Sequence, residues 1–363
     1  MPDPGRLSIA MATFNGARYL ENQLASLAVQ SRRPDELVVC DDGSSDATVA
    51  LVRSFARQAP FPVELVCNED RLGYRHNFVK AGRLCSGDIV FFCDQDDEWL
   101  PGKIETMAAA FDDPAVMLAY HNALVVDEDG QVLFDLYEDQ AQSRSNDPLH
   151  QEPFRFSLGF TQAYRRSLHR FDDLLAASID HVSEQPDCMA HDQWYFFLAQ
   201  MLGGVSYVPA RLVRYRQHGA NAFGVKPESP ADATASQKIR SLFVAPVWSA
   251  GALSESARAR GRIATAIAGQ LTGPEADAVR QWADQYGALG ERLRRRQVSC
   301  YGSTLVERWS ALLRNVAGGA YAGRDLWHFQ RPWLLGDALR AIVASRPQVA
   351  SYGSATVQGR GWR

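Results

Sequence analysis

The first hundred residues alternate between short apolar runs and stretches in which apolar side chains recur every third or fourth position. Leu7 to Ala12 reads as a strand, followed at Thr13-Phe-Asn-Gly16 by a turn and a helix whose Leu20, Leu24, Leu27 and Ala28 share a face. Leu37 to Cys40 is a second strand. It ends in Asp41-Asp42-Gly43-Ser44-Ser45-Asp46 and leads into a helix from about Ala47 to Arg57 that brings Val49, Val52 and Ala56 together. Val63 to Cys67 gives a third strand, the Asn77 to Leu84 region a third helix, and Asp88 to Cys93 a fourth strand. Ile89 to Cys93 is apolar throughout, which predicts a strand buried on both faces. Strands and helices alternating at this pitch predict an α/β fold with a mostly parallel sheet covered on both faces, and in such sheets ligands bind beyond the carboxyl ends of the strands. Thr13, Asp42 and Asp94 all fall at such ends.

After the fourth strand the alternation fades. Lys103 to Phe111 is a short helix, Met117 to His121 and Leu124 to Val126 are strands, and Asp127-Glu-Asp-Gly130 is a turn before Val132-Leu-Phe134. Tyr137 to Pro153 is polar and predicts a long surface loop. Order resumes at Phe156-Ser-Leu-Gly-Phe160, a helix is expected from about Ser167 to Ile179, and Met189-Ala-His-Asp-Gln-Trp194 starts an apolar helix running to Leu202. Gly203-Gly204 ends it, and Val205 to Val208 is a strand. Lys226 to Ser236 reads as a linker. Beyond it helical spacing dominates, over Leu253 to Leu271, Pro274 to Leu293 (with Val279, Trp282 and Tyr286 on one face) and Leu305 to Val316. The expected division is a catalytic domain over 1–225, a linker over 226–236 and a helical region over 237–363.

Composition narrows the function classes. With 363 residues and 46% hydrophobic residues the chain buries one large core and a smaller second one. A net charge of −4 provides no global basic field, so no nucleic-acid partner is expected. The six cysteines show no paired C-x-x-C spacing and read as small buried hydrophobes of a reducing cytoplasm. No signal peptide and no apolar run of bilayer length is visible, which makes the expectation a cytoplasmic protein, soluble or peripheral at the inner face of the plasma membrane. Two readings stand for Arg292 to Arg296 together with Trp309, Leu312, Leu313, Trp327, Phe329, Trp333 and Leu334. They form a basic and aromatic membrane-surface patch, or a helical appendage that packs on the catalytic domain or on a second subunit as a homo-oligomer.

Candidate chemistry centres on Cys93-Asp-Gln-Asp-Asp97, where Asp94, Asp96 and Asp97 close a buried strand. Carboxylates this close raise one another's pKa unless a cation sits between them, and clustered oxygen ligands suit Mg²⁺ or Mn²⁺. The competing reading is a solvated turn in which Asp97 or a neighbour caps the helix near Pro101. Asp41-Asp42 likewise satisfies a helix start, although one aspartate suffices for that and the second is available to accept a hydrogen bond from a ligand such as a pyrimidine N–H. No G-x-G-x-x-G follows the first strand, which disfavours a dehydrogenase. A metal-dependent nucleotidyltransferase would want a basic loop there, and no basic residue comes before Arg18.

Taken in order, several stretches resemble the family-2, GT-A type of nucleotide-sugar glycosyltransferase over roughly residues 7 to 224. They are Ala12-Thr-Phe-Asn-Gly16, Val39-Cys-Asp-Asp-Gly-Ser-Ser-Asp46, Gly73-Tyr-Arg-His-Asn77, Ser86-Gly-Asp88, Cys93-Asp-Gln-Asp-Asp97 with Trp99 and Pro101, Leu158-Gly-Phe160, His191-Asp-Gln-Trp194 and Tyr215-Arg-Gln-His-Gly219. The Cys-Asp-Gln-Asp-Asp, His-Asp-x-Trp and Tyr-Arg-Gln-His-Gly forms look most like the rhamnosyltransferase-like branch of bacterial O-antigen and capsule synthesis.

The resemblance implies a GT-A, Rossmann-like sheet and inverting transfer of a deoxyhexose such as L-rhamnose, or a hexose, from a dTDP- or UDP-sugar to a glycan or lipid-linked glycan acceptor. It implies nucleotide contacts from Ala12, Thr13, Phe14, Asn15, Asp42, Arg71, Asn77, Asp94 and Gln95, with Asp42 on the base and Asp94 facing the ribose. Asp96 and His218 would hold Mn²⁺ or Mg²⁺ and the diphosphate. Asp97, Trp99, Gly159, His191 and Trp194 would line the donor and acceptor sugars, and Asp192 would be the catalytic base. One departure stands out: the family's dyad is commonly Glu-Asp and here reads His191-Asp192, which keeps the aspartate but leaves the histidine without an assigned role. The rival of a different class is a non-catalytic sugar-nucleotide-binding or scaffold protein of the same fold.

Overall fold

The computed structural model describes residues 5–137, 152–183, 187–218, 247–322, 327–329 and 331–342. Among these, nine strands form a single sheet. Its first half is built from β1 (Leu7–Thr13), β2 (Glu36–Asp41), β3 (Val63–Cys67) and β4 (Ile89–Cys93), joined by α1 (Ala17–Ala28), α2 (Thr48–Ala56) and α3 (Gly73–Leu84). All three pairings, β1 with β2, β1 with β4 and β2 with β3, are parallel, as right-handed crossovers through helices demand. β1 and β4 lie in the interior of the sheet, and every residue of β4 is buried. β3, at the edge, is half exposed along its length. α1 buries Leu20, Leu24 and Leu27 against this core, the spacing its sequence announced.

The second half is mixed rather than parallel. It comprises β5 (Glu98–Trp99), α4 (Lys103–Ala108), β6 (Val116–Val126), β7 (Val132–Asp135), β8 (Gln162–Arg165), α5 (His191–Leu202) and β9 (Gly204–Arg216). β8 runs antiparallel between β4 and β6, β9 runs parallel to β6, and β5 and β7 close antiparallel on β9 and β6. The sheet order is β3-β2-β1-β4-β8-β6-β9-β5. What the sequence presents as two strands over 117–126 is one strand, whose register against β9 shifts around Asn122. The helix expected from Ser167 is a run of 3-10 turns over Arg166–Ala177. There Asp172 accepts hydrogen bonds from Tyr195, Trp194 and Arg83 and lies against His169, so side-chain bonding rather than an α-helical ladder fixes the segment. α5 is buried on every side, which fits the apolar run from Trp194 to Ala199 at its centre.

Contacts gather the chain into two units, one of residues 1–175, 189–229 and 267–279, the other of 176–188, 230–266 and 280–363. The division is interleaved rather than a single cut: residues 176–188 join the second unit, where Ser256 Oγ donates to the Ile179 carbonyl at 2.8 Å. The expected linker over 226–236 and most of the loop over 137–153 lie outside the described residues. The second unit draws on α6 (Val247–Ala268), α7 (Gly273–Tyr301), α8 (Leu305–Ala317) and α9 (Arg331–Ile342). Its core includes the rings of Trp282, Tyr286 and Trp327. α8 opens on a capping box between Thr304 and Glu307. Arg296 of the basic run is half of an ion pair with buried Asp337, and Arg294 and Arg295 pair with Glu291. Among the described residues no helix is long and apolar enough to cross a membrane.

Candidate active site

The carboxyl ends of β1, β2 and β4 bring the polar turns together on one rim. After β1 the chain turns at Asn15, whose φ of 46° is the left-handed conformation that asparagine tolerates better than most residues. Asn15 Oδ1 accepts from Ser45 N at 2.8 Å, and Gly16 N donates to Thr48 Oγ1 at 2.8 Å, so the turns after β1 and β2 lock each other. Gln95 secures the same turn from β4. Its Oε1 accepts from Phe14 N at 2.9 Å and its Nε2 donates to Phe14 O at 3.1 Å. A side chain at Gly16 would collide with this amide, a Cβ there falling 2.2 Å from Gln95 Oε1.

The two aspartates after β2 divide their work. Asp41 accepts from Thr13 Oγ1 (2.8 Å), Ser44 N (2.9 Å) and Ser44 Oγ (2.6 Å), which makes it the turn-holding member. Asp42, 3% exposed, accepts from Leu72 N (2.7 Å), Gly73 N (2.8 Å) and Asn68 Nδ2 (2.9 Å). It therefore anchors the start of α3. Arg71 approaches Asp42 at 3.9 Å and lays its guanidinium 3.8 Å over the Phe14 ring, closing one wall of a slot bounded by Phe14, Asp42 and Arg71. Asn77 stands behind that slot. Its Nδ2 donates to Cys40 O and its Oδ1 accepts from Asn68, so it supports the residues that hold Asp42.

At the end of β4, Asp94, Asp96 and Asp97 each offer a carboxylate oxygen, and these atoms lie within 4.8 Å of one another. Burial, with Asp96 and Asp192 nearby, pushes Asp94 up to about 8. Burial, with Asp96 and Asp94 nearby, drives Asp97 well above the usual carboxylate range. Asp97 Oδ1 accepts from Arg216 N at 3.1 Å, and its buried Oδ2 has no hydrogen-bond partner among the described residues. Across the cluster, His218 Nε2 lies 2.9 Å from Asp96 Oδ2, brought there by β9 and stacked on Tyr19 with ring centroids 4.7 Å apart. Arg18 and Arg216 flank Tyr19 and both bond to Glu128. Hard oxygen donors, raised carboxylates, an orphaned buried oxygen and a histidine at the edge together fit a divalent cation.

The far wall is made by α5 and the segment before β8. Asp192 lies in the first turn of α5, with its Oδ1 accepting from Gln193 N at 2.8 Å and its charge felt by Asp94. His191 is 5% exposed. Its ring stacks on Phe78 (centroids 4.0 Å apart) and meets Phe92 edge-on, and neither ring nitrogen has a hydrogen-bond partner among the described residues. Burial and Arg75 lower it to about 3, so it is neutral. Gly159 is required beside it, because a Cβ there would sit 2.4 Å from His191 Nε2.

Two expectations are corrected. Trp99 and Trp194, expected on the sugar-lining surface, are 1% and 0% exposed and belong to the core. Trp99 packs on Phe91 and under Lys103, and Trp194 donates its Nε1 to Asp172 at 3.1 Å. Their large apolar rings gain more from burial than the rim offers. Sequence reasoning also passed over Tyr19, which seats His218, and Lys103, a fully buried lysine beneath the aspartates. A signal existed for Lys103: it lies four residues before Met107 and beside Ile104, on the buried face of a short helix.

The arrangement defines a GT-A glycosyltransferase fold, which the solved structures bear out. A crystal structure of S. aureus TarS 1–349 in complex with UDP superposes with a TM-score of 0.52 over 93% of this chain and 90% of that one, at 17% identity. Residues 8–170 match the model of glycosyl transferase family 2, which makes this part of the chain a family-2 glycosyltransferase domain. An uncharacterized glycosyltransferase of Nostoc sp. is 25% identical over 241 residues, 65% of this chain and 71% of that protein. The UDP-Glc:alpha-D-GlcNAc-diphosphoundecaprenol beta-1,3-glucosyltransferase WfgD of Escherichia coli is 28% identical over 126 residues, 35% of this chain and 49% of that protein. Family membership sets aside the dehydrogenase and nucleotidyltransferase readings.

Proposed function

We propose that this glycosyltransferase moves a deoxyhexose or hexose, with inversion, from a dTDP- or UDP-sugar to a hydroxyl of a bacterial surface-glycan precursor in a reaction that depends on Mn²⁺ or Mg²⁺. The observation that carries the reading is the convergence of Asp94, Asp96 and Asp97 at one strand end, with His218 against Asp96 and Asp192 electrostatically coupled to Asp94. UDP in the TarS structure supports a uridine-nucleotide donor, and the name of the E. coli relative supports a polyprenyl-linked acceptor.

In this reading Ala12 to Asn15, Asp42 and Arg71 hold the base and Asp94 meets the ribose. Asp96 and His218, with Asp97 behind them, would hold the cation, whose chemistry there would be charge neutralisation of the diphosphate leaving group. Gln95 and Asn77 act indirectly, by fixing the Phe14 turn and the Asn68–Asp42 pair. Asp192 accepts the proton of the attacking acceptor hydroxyl, a step that needs one carboxylate on the acceptor side and no enzymatic nucleophile. Neutral His191, whose two buried ring nitrogens have no hydrogen-bond partner among the described residues, would exchange a hydrogen bond with a sugar hydroxyl.

The test is a panel of dTDP- and UDP-sugars scored for Mn²⁺-dependent thermal stabilisation, followed by transfer assays with polyprenyl-diphosphate-linked sugars. One nucleotide class should stabilise the protein only with the metal present. Metal-independent stabilisation by every member, or none, would overturn the reading.

A further inference from the structure

Lys103 has no role in the reaction so far described, yet its position is costly. It is 0% exposed, and it occupies the first residue of α4, where the helix dipole disfavours a cation. Its ammonium donates to the Phe160 carbonyl at 2.7 Å and lies 3.5 Å above the Trp99 ring, so it binds a backbone carbonyl and an aromatic face rather than a carboxylate directly. Ile104 and Met107 share its buried face, and a methionine would suit that face as well as the lysine stem does. Stability alone does not account for the charge.

Two groups of residues meet at this ammonium. Above it are Asp94 and Asp97, whose ionised forms it favours, and which in turn favour its protonated form against burial. Beside it is the 3-10 turn Gly159–Thr161, whose Phe160 ring stacks on Tyr215 of β9 at 4.6 Å and whose Gly159 lies against His191. The turn has other ties besides: Thr161 Oγ1 donates to Leu158 O, Leu158 N donates to Tyr137 Oη, and the buried His121 ring of β6 meets the Phe160 backbone. The bond from Lys103 joins the turn beside the His191–Asp192 wall to the floor of the acidic cluster.

We infer that Lys103 is a positioning residue that couples the two sides of the site, its ammonium offsetting the negative charge of the aspartate cluster while its N–H fixes the Phe160 carbonyl and with it the Gly159 turn. The inference rests on the metal-dependent reading proposed above. It makes an unusual demand: removing the lysine should improve one property of the site and damage another. With the internal cation gone, the aspartates attract an external one more strongly. Without the hydrogen bond, the Gly159 turn loses its register.

The experiment titrates Mn²⁺ into the full chain at pH 7, following the free-ion electron paramagnetic resonance signal, for the parent, Lys103→Met and Lys103→Gln. Gln keeps a donor without the charge. Both variants should bind Mn²⁺ about threefold to tenfold more tightly, a change expected for one partly screened charge at this range. Amide exchange at Thr161 and Gln162 should quicken in Lys103→Met and change less in Lys103→Gln. Equal or weaker Mn²⁺ binding by both variants, with circular dichroism showing them folded, overturns the inference and leaves Lys103 a packing residue. A parent chain that does not bind Mn²⁺ at all overturns the metal-dependent reading itself, a separate outcome that also removes the basis for this one.

Discussion

The two sides of the rim differ in how their polar groups are satisfied. On the side formed by β1, β2 and α3, Asp41 and Asp42 each accept three hydrogen bonds, and Gln95 and Asn77 each use both ends of the amide. On the side formed by the end of β4 and the start of α5, Asp94 and Asp97 are held above their ordinary range, and among the described residues neither Asp97 Oδ2 nor either ring nitrogen of buried His191 has a hydrogen-bond partner. Buried polar groups are ordinarily bonded, and each exception is costly. The first side is therefore complete before anything binds. The second is completed by what binds, which is where chemistry with changing charge belongs.

Substitutions on the two sides should separate binding and chemistry from folding. The largest effect is expected from Asp192→Asn. The amide retains the shape and the capping capacity of the carboxylate but not its basicity, so transfer should fall about 10²-fold or more while donor binding persists. Near-normal transfer with saturating donor and a true acceptor would place the base elsewhere, with His191 the next residue to try. Next comes Asp42→Ala, which leaves three N–H donors, from Asn68, Leu72 and Gly73, without their acceptor. It should lower unfolding free energy by about 2–4 kcal/mol in urea titration, with or without metal. A loss seen only when nucleotide is present would mean that Asp42 serves the ligand alone.

His218→Ala should be milder. If the contact with Asp96 matters most as charge develops on the leaving group, turnover should drop about tenfold or somewhat more with a smaller change in donor affinity. Equal turnover in variant and parent would return His218 to an ordinary loop residue. The smallest effect concerns acid. A histidine held neutral with its pKa lowered to about 3 favours the unfolded state as pH falls below about 6.5, because the unfolded chain takes up the proton first. The stability is whole above that pH, and about 1.4 kcal/mol of it is lost by pH 5.5 through this one group. His191→Leu should flatten the pH dependence of unfolding over that window, and an unchanged slope would show that the ring is not held neutral.

The complete side was also the more legible one. Leu7 to Thr13, Leu37 to Cys40 and Ile89 to Cys93 are continuous apolar runs closed by turn residues, and the helices between them carry regular apolar spacing, so parallel pairing and rim position follow from pattern alone. Glu98–Trp99 and Gln162–Arg165 were not legible as strands, being two and four residues long with no sustained period, and they are what turns the second half into a mixed sheet. The acidic cluster could be read as a sequence motif, because its members are consecutive or nearly so. That Asp97 faces the Arg216 amide, that His218 arrives at Asp96, and that Lys103 points beneath them depend on contacts between residues far apart in the chain. Trp99 and Trp194 misled for a related reason: proximity in sequence to site residues says nothing of which face of the element a ring takes.

The claim that the open side of the rim is built to receive a divalent cation is tested most directly by thermal unfolding with and without Mn²⁺ in the parent, Asp96→Ala and Asp42→Ala proteins. The account predicts a metal-driven rise in melting temperature in the parent, the same rise from a lower starting point in Asp42→Ala, and no rise in Asp96→Ala. An equal rise in Asp96→Ala, or its absence in the parent, would contradict it.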